Sequence, residues 1–484
     1  MIRHIPCIPA VFVILIAFGI IAHPAIGAPV FMANGIKVGE VTQERAIVWT
    51  RVTRAPERNA AGHPFPDLGN LPDKGAGLST QVLTGDHPLE AMEGAAPGAS
   101  GLVRVLYWPA ENRPARELTE WRRVDESADF TRQFVLAGLT PATRYEVLVQ
   151  CRPDKDSVPS DSVRGSFVTA PRPDTTAPVR FVVVTCGDYP RRDDPQNGHI
   201  IYETMRALQP DFFVHTGDIE YYDKPQPYAP NLELARFKWN RFYALPFQRA
   251  FHNEVASYFI KDDHDTLKDD CYPGQQYGDL TWEKGLATFR EQVPMGEKTY
   301  RTVRWGKDLQ IWMVEGRDFR SPNPMPDGPD KTIWGEEQKA WFKRTVQDSD
   351  ATFRILISPT PLVGPDRDKK NDNHSNAGFA HEGNELRRFI AAQKNMVVIN
   401  GDRHWQYVSV DKETGVREYG TGPSSDKHAG GWSQDEFRRE HRYLHLQGGF
   451  LEVIVASIEG TPVLRLRHHG VNGGTYHADV LPAK

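Results

Sequence analysis

The sequence predicts an α/β protein in which an N-terminal β-sandwich precedes a layered α/β domain with a mixed sheet. Residues 29–172 contain short β-branched and aromatic runs separated by turn residues, which is the pattern of a sandwich. From residue 178 to residue 484, strand-like runs alternate with segments of helical spacing, as they do in layered α/β domains. Four of these later runs end abruptly in polar and charged residues, and this indicates a functional site.

The first 28 residues are predicted to be a signal peptide. Arg3 and His4 precede the apolar run PAVFVILIAFGIIA, and small residues follow it at Ala25, Gly27 and Ala28. A charged start, an apolar stretch and a small-residue cleavage site are the parts of a secretory signal. We therefore expect a secreted or periplasmic protein, and the general secretory route, since no twin arginine precedes the apolar run. A retained membrane anchor is the alternative.

The composition is that of a soluble globular protein. Of the 484 residues, 39% are hydrophobic and 25% are charged, which argues against a disordered or membrane-embedded chain. The formal net charge of -5 argues against a nucleic-acid scaffold, which normally carries a basic face. No feature of the sequence indicates a stable protein partner.

The predicted sandwich contains one local resemblance and one insertion. The segment LTPATRYEVLVQ resembles the penultimate-strand region of fibronectin- and Ig-like sandwiches, with Tyr145 in the place of their corner tyrosine. Residues 54–100 are rich in proline, glycine and alanine, and we expect a loop there rather than core. The proline-rich segment 171–178 is predicted to be a linker. Because this region shows no cluster of metal-ligating residues, we expect it to act as a spacer or packing platform.

The later domain places candidate metal ligands where four predicted strands end. The strands are FVVVTC, FFVHTGDIEYY, YFIKDDHD and VVINGDRHW, and the side chains at their ends are Cys186, Asp218, Tyr221, Asp262, Asp263, His264, Asp402 and His404. Polar groups just beyond the carboxyl ends of strands gather at one edge of a sheet, so a single site is predicted. Gly217 lets the backbone turn sharply before Asp218, so that this carboxylate can bridge two ions.

The charges of the candidate ligands indicate a mixed-metal centre. With His404 neutral, the thiolate, phenolate and carboxylates carry five negative charges, from Cys186, Tyr221, Asp218, Asp263 and Asp402. Two divalent ions supply four positive charges, whereas one trivalent and one divalent ion supply five. Thiolate and phenolate suit ferric iron, and the all-oxygen position suits calcium, with magnesium or manganese as alternatives; zinc is a further alternative. If Cys186 is a ligand, Cys151 and Cys271 are the thiols left for a disulfide, although no feature places them close together.

These four motifs resemble those of the metallophosphoesterase superfamily, and most closely those of its PhoD-like alkaline phosphatase branch. In that branch a cysteine replaces the usual first aspartate, as in TCGD, and a tyrosine follows the second motif, as in GDIEY. Asp-His replaces the usual Asn-His in DDHD, and the last motif has the Gly-Asp-x-His form in GDRH. An N-terminal sandwich before the catalytic domain also matches, so the resemblance covers nearly the whole mature chain.

The resemblance implies a role for each motif residue. The implied iron ligands are Cys186, Asp218, Tyr221 and His404, and the implied ligands of the second ion or ions, calcium by this resemblance, are Asp218, Asp263 and Asp402. His264 is implied to lie beside the substrate phosphate as a donor or acid. Several arginines lie close in sequence to strand ends and are candidates for binding phosphate: Arg191, Arg192, Arg317, Arg320 and Arg403. Among them we predict Arg317 and Arg403 as catalytic residues together with His264.

The sequence favours a secreted phosphatase that hydrolyses phosphate monoesters by attack of a metal-activated water, with phosphate diesters as a second substrate class. The substrate is then a small phosphate ester. A phospholipase D-like phosphodiesterase acting on phospholipid is the first alternative, and a non-catalytic adhesion protein is the second. An apolar rim around the site would favour lipid, and a polar mouth would favour small phosphates. Asp188 follows Cys186 and Gly187 of the first motif, and His374 lies in the segment ISPTPLVGPDRDKKNDNHSN, where the resemblance implies further metal or substrate contacts. Neither residue receives an assignment from the sequence.

Overall fold

A computed structural model describes residues 27–484 of the chain. The predicted signal peptide therefore lies almost entirely outside the described residues. Within the described part, every helix is too short or too polar to span a lipid bilayer.

The regular elements of the N-terminal region are mainly strands. These are β1 Ile36–Gly39, β2 Arg45–Arg51, β3 Gly101–Pro109, β4 Glu117–Leu118, β5 Arg122–Val124, β6 Thr131–Ala137, β7 Arg144–Arg152 and β8 Asp161–Val168. A short helix, α1 Thr80–Leu83, lies in the long connection between β2 and β3. The hydroxyl of Tyr145 accepts a hydrogen bond from the backbone N–H of Thr140 at 2.9 Å, as the corner tyrosine of a sandwich does.

From residue 179 onward, strands alternate with helices as the sequence predicts. The strands are β9 Val179–Val184, β10 Phe212–His215, β11 Ala256–Phe259, β12 Gln276–Tyr277, β13 Leu280–Thr281, β14 Arg301–Trp305, β15 Leu309–Met313, β16 Phe353–Ser358, β17 Met396–Asn400, β18 Gln406–Val410, β19 Arg417–Thr421, β20 His441–His445, β21 Gly449–Ile458, β22 Thr461–Gly470 and β23 Thr475–Pro482. The helices are α2 Ile200–Ala207, α3 Leu232–Tyr243, α4 Pro246–Glu254, α5 Trp282–Gln292, α6 Gly335–Gln347 and α7 Ala380–Ala391. Polar caps fix several starts: the Asn231 side chain, for example, accepts the N–H of Leu234 at the beginning of α3.

Two large mixed sheets form the centre of the molecule. The first has the order β23-β22-β21-β9-β10-β11-β1-β2-β6, and the second has the order β14-β15-β16-β17-β19-β18-β20. In the first sheet β9, β10 and β11 are parallel neighbours, and in the second β15, β16 and β17 are parallel neighbours. The mixed α/β architecture agrees with the predicted fold class.

Alternate side chains of these strands face different layers. On β9, Phe181 and Val183 belong to the apolar core that the two large sheets share, whereas Val182 and Val184 pack with residues of α2 and α3. On the second sheet, Leu356 and Val398 pack with α6 and α7. Each sheet therefore has one face on the other sheet and one face covered by helices, which buries both faces of its parallel strands.

The N-terminal strands continue one of the central sheets. β1 pairs in parallel with β11, with Gly39 opposite Ser257. β2 pairs antiparallel with β1, and β6 pairs antiparallel with β2, so all three strands extend the sheet. A third sheet, β4-β3-β7-β8 with β5 on β3, packs against this extension through the same apolar core. The proposed division between residues 29–172 and 178–484 stays a prediction, and the pairing of β1 with β11 crosses it within one sheet.

The insertion at residues 54–100 is less loop-like than its composition indicates. Leu83, Met92 and Ala95 are buried, and Met92 and Ala95 pack with Phe237 of α3. The side-chain hydroxyl of Tyr277 donates to the backbone carbonyl of Lys74 at 2.5 Å, which fastens the insertion to the later domain. Apolar residues scattered among proline and glycine have no periodicity, so the sequence pattern did not predict that this insertion packs on the later domain.

The three cysteines of the described residues are free thiols. Cys151 lies in β7 near the carbonyl of Val30, and Cys271 lies near the carbonyl of Asp263. The Cys151–Cys271 disulfide that the odd cysteine count left open is therefore not formed. The two thiols belong to different layers of the fold, which cysteine counting cannot reveal.

Candidate metal centre

The ends of four strands from both large sheets converge on one site. In the first sheet, β9 leads to Cys186, β10 to Asp218 and β11 to Asp263, and these strands are in register, with Val184 opposite His215 and His215 opposite Phe259. In the second sheet, β17 leads to Asp402. The carboxyl ends of these parallel strands thus bring together residues that are far apart in sequence.

Left-handed backbone turns direct the side chains at these strand ends. Cys186, Asp218 and Asp402 have φ angles of 53°, 57° and 65°, values that residues other than glycine rarely adopt. Glycine precedes the last two, and a Cβ atom at Gly217 would lie 2.7 Å from the Cβ atom of Asp262. Strained backbone held by close packing is common at functional sites, and here it occurs at three of the predicted ligands.

The structure brings together all four predicted iron ligands. The Sγ atom of Cys186, an oxygen of Asp218 and a ring nitrogen of His404 all lie within 4.8 Å of one another. The hydroxyl of Tyr221 lies 3.3 Å from Oδ2 of Asp218 and 3.3 Å from Nε2 of His404. This set of sulfur, phenol, carboxylate and imidazole donors surrounds one position, which we call the thiol position.

Asp218 also belongs to further groups of potential ligands. Its carboxylate lies within 4.8 Å of ligand atoms of Asp262 and Asp402 in one group, and of Asp263 and His264 in another. We call this neighbouring region the carboxylate position. Asp263 and Asp402 were predicted to lie here, whereas Asp262 was a strand-end candidate to which no position was assigned. Because Asp218 belongs to both positions, it has the geometry of a bridging carboxylate.

The electrostatics of the centre fit bound cations. Burial, followed by the charge of Asp218, raises the pKa of the Cys186 thiol well above its usual range. Burial and the charge of Asp263 likewise raise the pKa of Asp218, and burial raises that of Asp402 to about 6 despite the nearby Arg403. Oδ2 of Asp262 is buried and has no hydrogen-bond partner within residues 27–484. Crowded buried anions with unpaired oxygens need compensating charge, and the residues present fit metal ions.

His264 lines the cavity in front of the carboxylate position. Its Nδ1 atom lies 2.5 Å from Oδ1 of Asp223, and Oδ2 of Asp223 lies 2.5 Å from Nζ of Lys74. Burial opposes a charge on the ring, but Asp223, Asp263 and Asp218 outweigh it and raise the pKa of His264 to about 10. The contact with Asp223 occupies one ring nitrogen, and the other, Nε2, lies 3.7 Å from Oδ1 of the half-exposed Asp269.

The predicted catalytic arginines lie behind the carboxylates instead of at the cavity wall. Arg317 is buried, with Nε 2.5 Å from Oδ1 of Asp262 and Nη2 3.5 Å from Oδ1 of Asp263. Arg403 is also buried, with Nη2 2.7 Å from Asp366 and 2.8 Å from Asp402. The structure therefore places neither guanidinium where the prediction of phosphate contact requires it. Their contacts fix the carboxylates of the centre.

Other basic side chains line the cavity of about 220 Å³ at the centre. They are Arg191, Lys224, Arg367 and Lys370. Arg191 was one of the wider set of candidates, whereas Arg192 and Arg320 bind Glu93 and Asn323 and do not line the cavity. Lys224, Arg367 and Lys370 lie on loops outside the four motifs, so motif spacing did not select them.

His428 is a residue of the site that sequence reasoning missed. Its ring centroid lies 4.2 Å from that of His404 and 5.1 Å from that of Tyr221. Nδ1 lies 3.1 Å from the carbonyl oxygen of Gly187, which can only accept, so Nδ1 carries the proton. The unprotonated Nε2 is buried and has no partner within residues 27–484. His428 lies in a short 3-10 turn beyond β19, too far from the strand end for the pattern that found the other ligands.

The two residues that received no assignment lie outside the ligand groups. Asp188 is buried and forms an ion pair with Arg191 at 3.2 Å, and its second oxygen has no partner within residues 27–484. His374 is buried away from the cavity, with Nε2 2.8 Å from Oε2 of Glu382. His374 is therefore a core histidine.

Comparisons with known proteins agree with the predicted family and fold. Residues 181–434 match the PhoD-like phosphatase family, and this range is more than half of the chain. A solved structure of PhoD superposes with a TM-score of 0.68 at 15% sequence identity, covering 95% of this chain and 90% of that chain. The purple acid phosphatase PPD1 from yellow lupin (Lupinus luteus) seeds superposes with a TM-score of 0.62 at 11% identity, covering 95% of this chain and 75% of its own. A comparison with curated proteins found no match. The chain therefore belongs to the PhoD-like phosphatase family, and it is a phosphoric ester hydrolase.

Proposed function

We propose that this protein is a metal-dependent phosphatase that hydrolyses small phosphate monoesters outside the cytoplasm. The observation that carries the proposal is the pair of ligand positions that share Asp218. Sulfur, phenol and imidazole donors at the thiol position suit ferric iron, and the oxygen donors at the carboxylate position suit calcium. Bound there, the ions would supply Lewis acidity and lower the pKa of a water nucleophile.

The chain's own residues would orient the ester and protonate its leaving group. Arg191, Lys224, Arg367 and Lys370 line the cavity, so their positive charges can hold the phosphate oxygens and stabilise negative charge that develops on them. His264 faces the same cavity through Nε2, and its protonated ring can donate to the departing oxygen. Asp223 holds the ring in place through Nδ1.

The cavity mouth favours small phosphates over phospholipid. Its wall is formed by charged side chains, including Arg191, Lys224, Asp269, Arg367 and Lys370. A lipid substrate would gain from an apolar rim, and the aromatic side chains nearby, Trp405 and Trp432, are nearly fully buried. The polar mouth thus supports monoester hydrolysis over the phospholipase D-like alternative. The complete ligand sets support catalysis over a purely adhesive role.

The proposed location outside the cytoplasm rests on residues 1–28 of the sequence. N-terminal sequencing of the protein recovered from the culture medium or periplasm would test it. A mature chain that begins after Ala28 is expected, and an intact N-terminus on a cytoplasmic protein would contradict this part of the proposal.

The activity itself is tested by turnover with and without metals. We expect the natively purified protein to hydrolyse p-nitrophenyl phosphate faster than bis-p-nitrophenyl phosphate and phosphatidylcholine. Prolonged chelation should abolish hydrolysis, and ferric and calcium ions together should restore it. A preference for phosphatidylcholine would favour the phospholipase alternative, and full activity after metal removal would contradict the proposed mechanism.

A further inference from the structure

A second cavity adjoins the cavity at the metal centre. Its volume is about 650 Å³, and it shares the side chains of Arg367 and Lys370 with the metal-centre cavity. Beyond these two residues, it is lined by Lys369, Trp432 and Arg438, among others. The two cavities are therefore neighbours on either side of Arg367 and Lys370, and we call the second one the side cavity.

The side cavity has the opposite charge balance to the metal centre. Its charged lining residues are Arg367, Lys369, Lys370 and Arg438 against Asp368 and Glu436, which leaves two net positive charges. Arg438 is partly neutralised by Asp368, 2.9 Å away. Lys369 is exposed and forms no ion pair within residues 27–484, and Arg367 has only a 3.4 Å contact with the neighbouring Asp366. These two cations are free to meet an anion.

The basic loop is held in place by a buried polar network. Asp366 is buried, lies 2.7 Å from Arg403 and accepts a hydrogen bond from Asn373 at 2.8 Å. The N–H of Gly364 donates to Glu418 at 2.8 Å. These contacts anchor both ends of the loop of residues 366–373, which carries Arg367, Lys369 and Lys370.

Two stacked indoles support the wall between the two cavities. The rings of Trp405 and Trp432 have centroids 5.1 Å apart at an angle of 30°. The guanidinium of Arg367 lies 5.7 Å from the Trp405 ring and that of Arg438 lies 4.8 Å from the Trp432 ring. A Cβ atom at Gly431 would lie 3.3 Å from Nη1 of Arg367, so glycine leaves room for the guanidinium. Packing on aromatic faces orients both arginines beside the side cavity.

We propose that the side cavity binds a second phosphate carried by the leaving group of the substrate, so that the enzyme prefers bisphosphorylated compounds. Arginine and lysine together recognise a phosphate dianion through charge-assisted hydrogen bonds. In the reaction, water adds to the phosphorus at the metal centre and the ester P–O bond breaks. A proton passes to the departing oxygen, so the products are inorganic phosphate and an alcohol that still carries its own phosphate. This preference rests on the proposed phosphatase function.

The preference is measured with terminal alkanediols of increasing chain length, each as the monophosphate and as the bisphosphate. At the chain length that spans the two cavities, we expect the kcat/KM of the bisphosphate to exceed that of the monophosphate by about tenfold or more. A symmetric bisphosphate has two equivalent phosphates that can react, and the tenfold excess is in addition to this statistical advantage. Lys369→Gln should reduce the ratio and Lys369→Glu should reduce it further, because the charge is first removed and then reversed. Lys155→Gln, which changes an exposed lysine of the β7–β8 hairpin, is the matched control and should leave the ratio unchanged.

The outcomes separate this proposal from the function on which it rests. Hydrolysis of the monophosphates with only a statistical advantage for the bisphosphates at every length would overturn the side-cavity proposal and leave the phosphatase intact. A preference that Lys369→Glu does not change would overturn it as well. Calorimetry of bisphosphate and monophosphate binding gives a readout without turnover. Absence of hydrolysis together with Lys369-dependent bisphosphate binding would instead contradict the phosphatase.

Discussion

The acidic and basic sides of the metal-centre cavity are built in different ways. The acidic side is formed where β9, β10, β11 and β17 end, and its ligands are held by left-handed turns and buried neighbours. The basic side is formed by loop residues such as Lys224, Arg367 and Lys370, which are partly exposed. Rigid strand ends suit atoms that must keep metal-ligand distances, and loops suit contacts that select among substrates. We therefore expect changes on the acidic side to abolish catalysis and changes on the basic side to alter specificity.

The sharpest contrast on the acidic side is between two aspartates near strand ends. Asp218→Asn removes the carboxylate shared by both ligand positions. Loss of a residue that only hydrogen-bonds a metal ligand lowers activity by up to roughly 100-fold, and we expect kcat of Asp218→Asn to fall by more than that. Asp188→Asn is the matched control, because Asp188 is buried nearby but outside the ligand groups. Steady-state kinetics with p-nitrophenyl phosphate measure both. An equal loss of kcat in the two variants would indicate that Asp188 is as important to the centre as Asp218, and it would contradict the expected difference between them.

The next largest effect is expected at His264. His264→Gln removes the proposed acid, which typically contributes about 100- to 10,000-fold to kcat. The loss should be much smaller for p-nitrophenyl phosphate than for an alkyl phosphate, because p-nitrophenolate leaves without needing a proton. Comparing kcat for the two esters in wild type and variant tests this. Equal losses would indicate that His264 only supports the structure.

The two kinds of arginine should respond in different measurements. Arg317→Ala leaves buried carboxylates unpaired, and we expect the free energy of unfolding to fall by about 3–5 kcal/mol in denaturant titrations. Arg367→Ala removes a half-exposed side chain, so unfolding should change by less than about 0.5 kcal/mol. Its main effect should be a higher KM for phosphate esters. If Arg317→Ala had normal stability but a raised KM, the result would support the sequence-based prediction that Arg317 contacts phosphate.

The smallest effect is expected where the N-terminal insertion reaches the site. Lys74→Ala removes the cation that holds Asp223, which in turn holds His264, and we expect kcat to fall by about fivefold or less. Lys74→Arg should retain most of the activity because the ion pair can re-form. Asp223→Asn should cost more than Lys74→Ala, since Asp223 contacts the ring directly. Kinetics of the three variants with an alkyl phosphate measure this order, and a different order would remove Lys74 from the positioning of His264.

The candidate ligands could be predicted from sequence because each follows an apolar run that is expected to be a buried strand. Cys186, Asp218, Asp263 and His404 all follow such runs, and the strand ends bring them together as expected. Closeness to a strand end does not fix the direction of a side chain, however. Arg403 follows Asp402 directly, yet it turns away to Asp366, so the arginine predictions placed the right residues near the site but on the wrong side of the carboxylates.

Two other features had no local signal at all. His428 follows β19 by several residues within a 3-10 turn, and only the fold brings it beside His404. Lys74 lies in a proline- and glycine-rich insertion whose composition indicates loop, and it reaches Asp223 because buried apolar residues dock that insertion. Long-range packing of irregular segments leaves no periodicity in the sequence, so only the three-dimensional structure reveals such residues.

Elemental analysis of the natively purified protein, read together with its visible absorption spectrum, tests the metal centre most directly. We predict about one iron per chain with calcium alongside it, and a charge-transfer band that is lost in Tyr221→Phe because the phenolate at the thiol position is removed. Two zinc or manganese ions without colour would contradict the ferric assignment and retain the two-position centre. A protein that binds no metal under any condition would contradict the account as a whole.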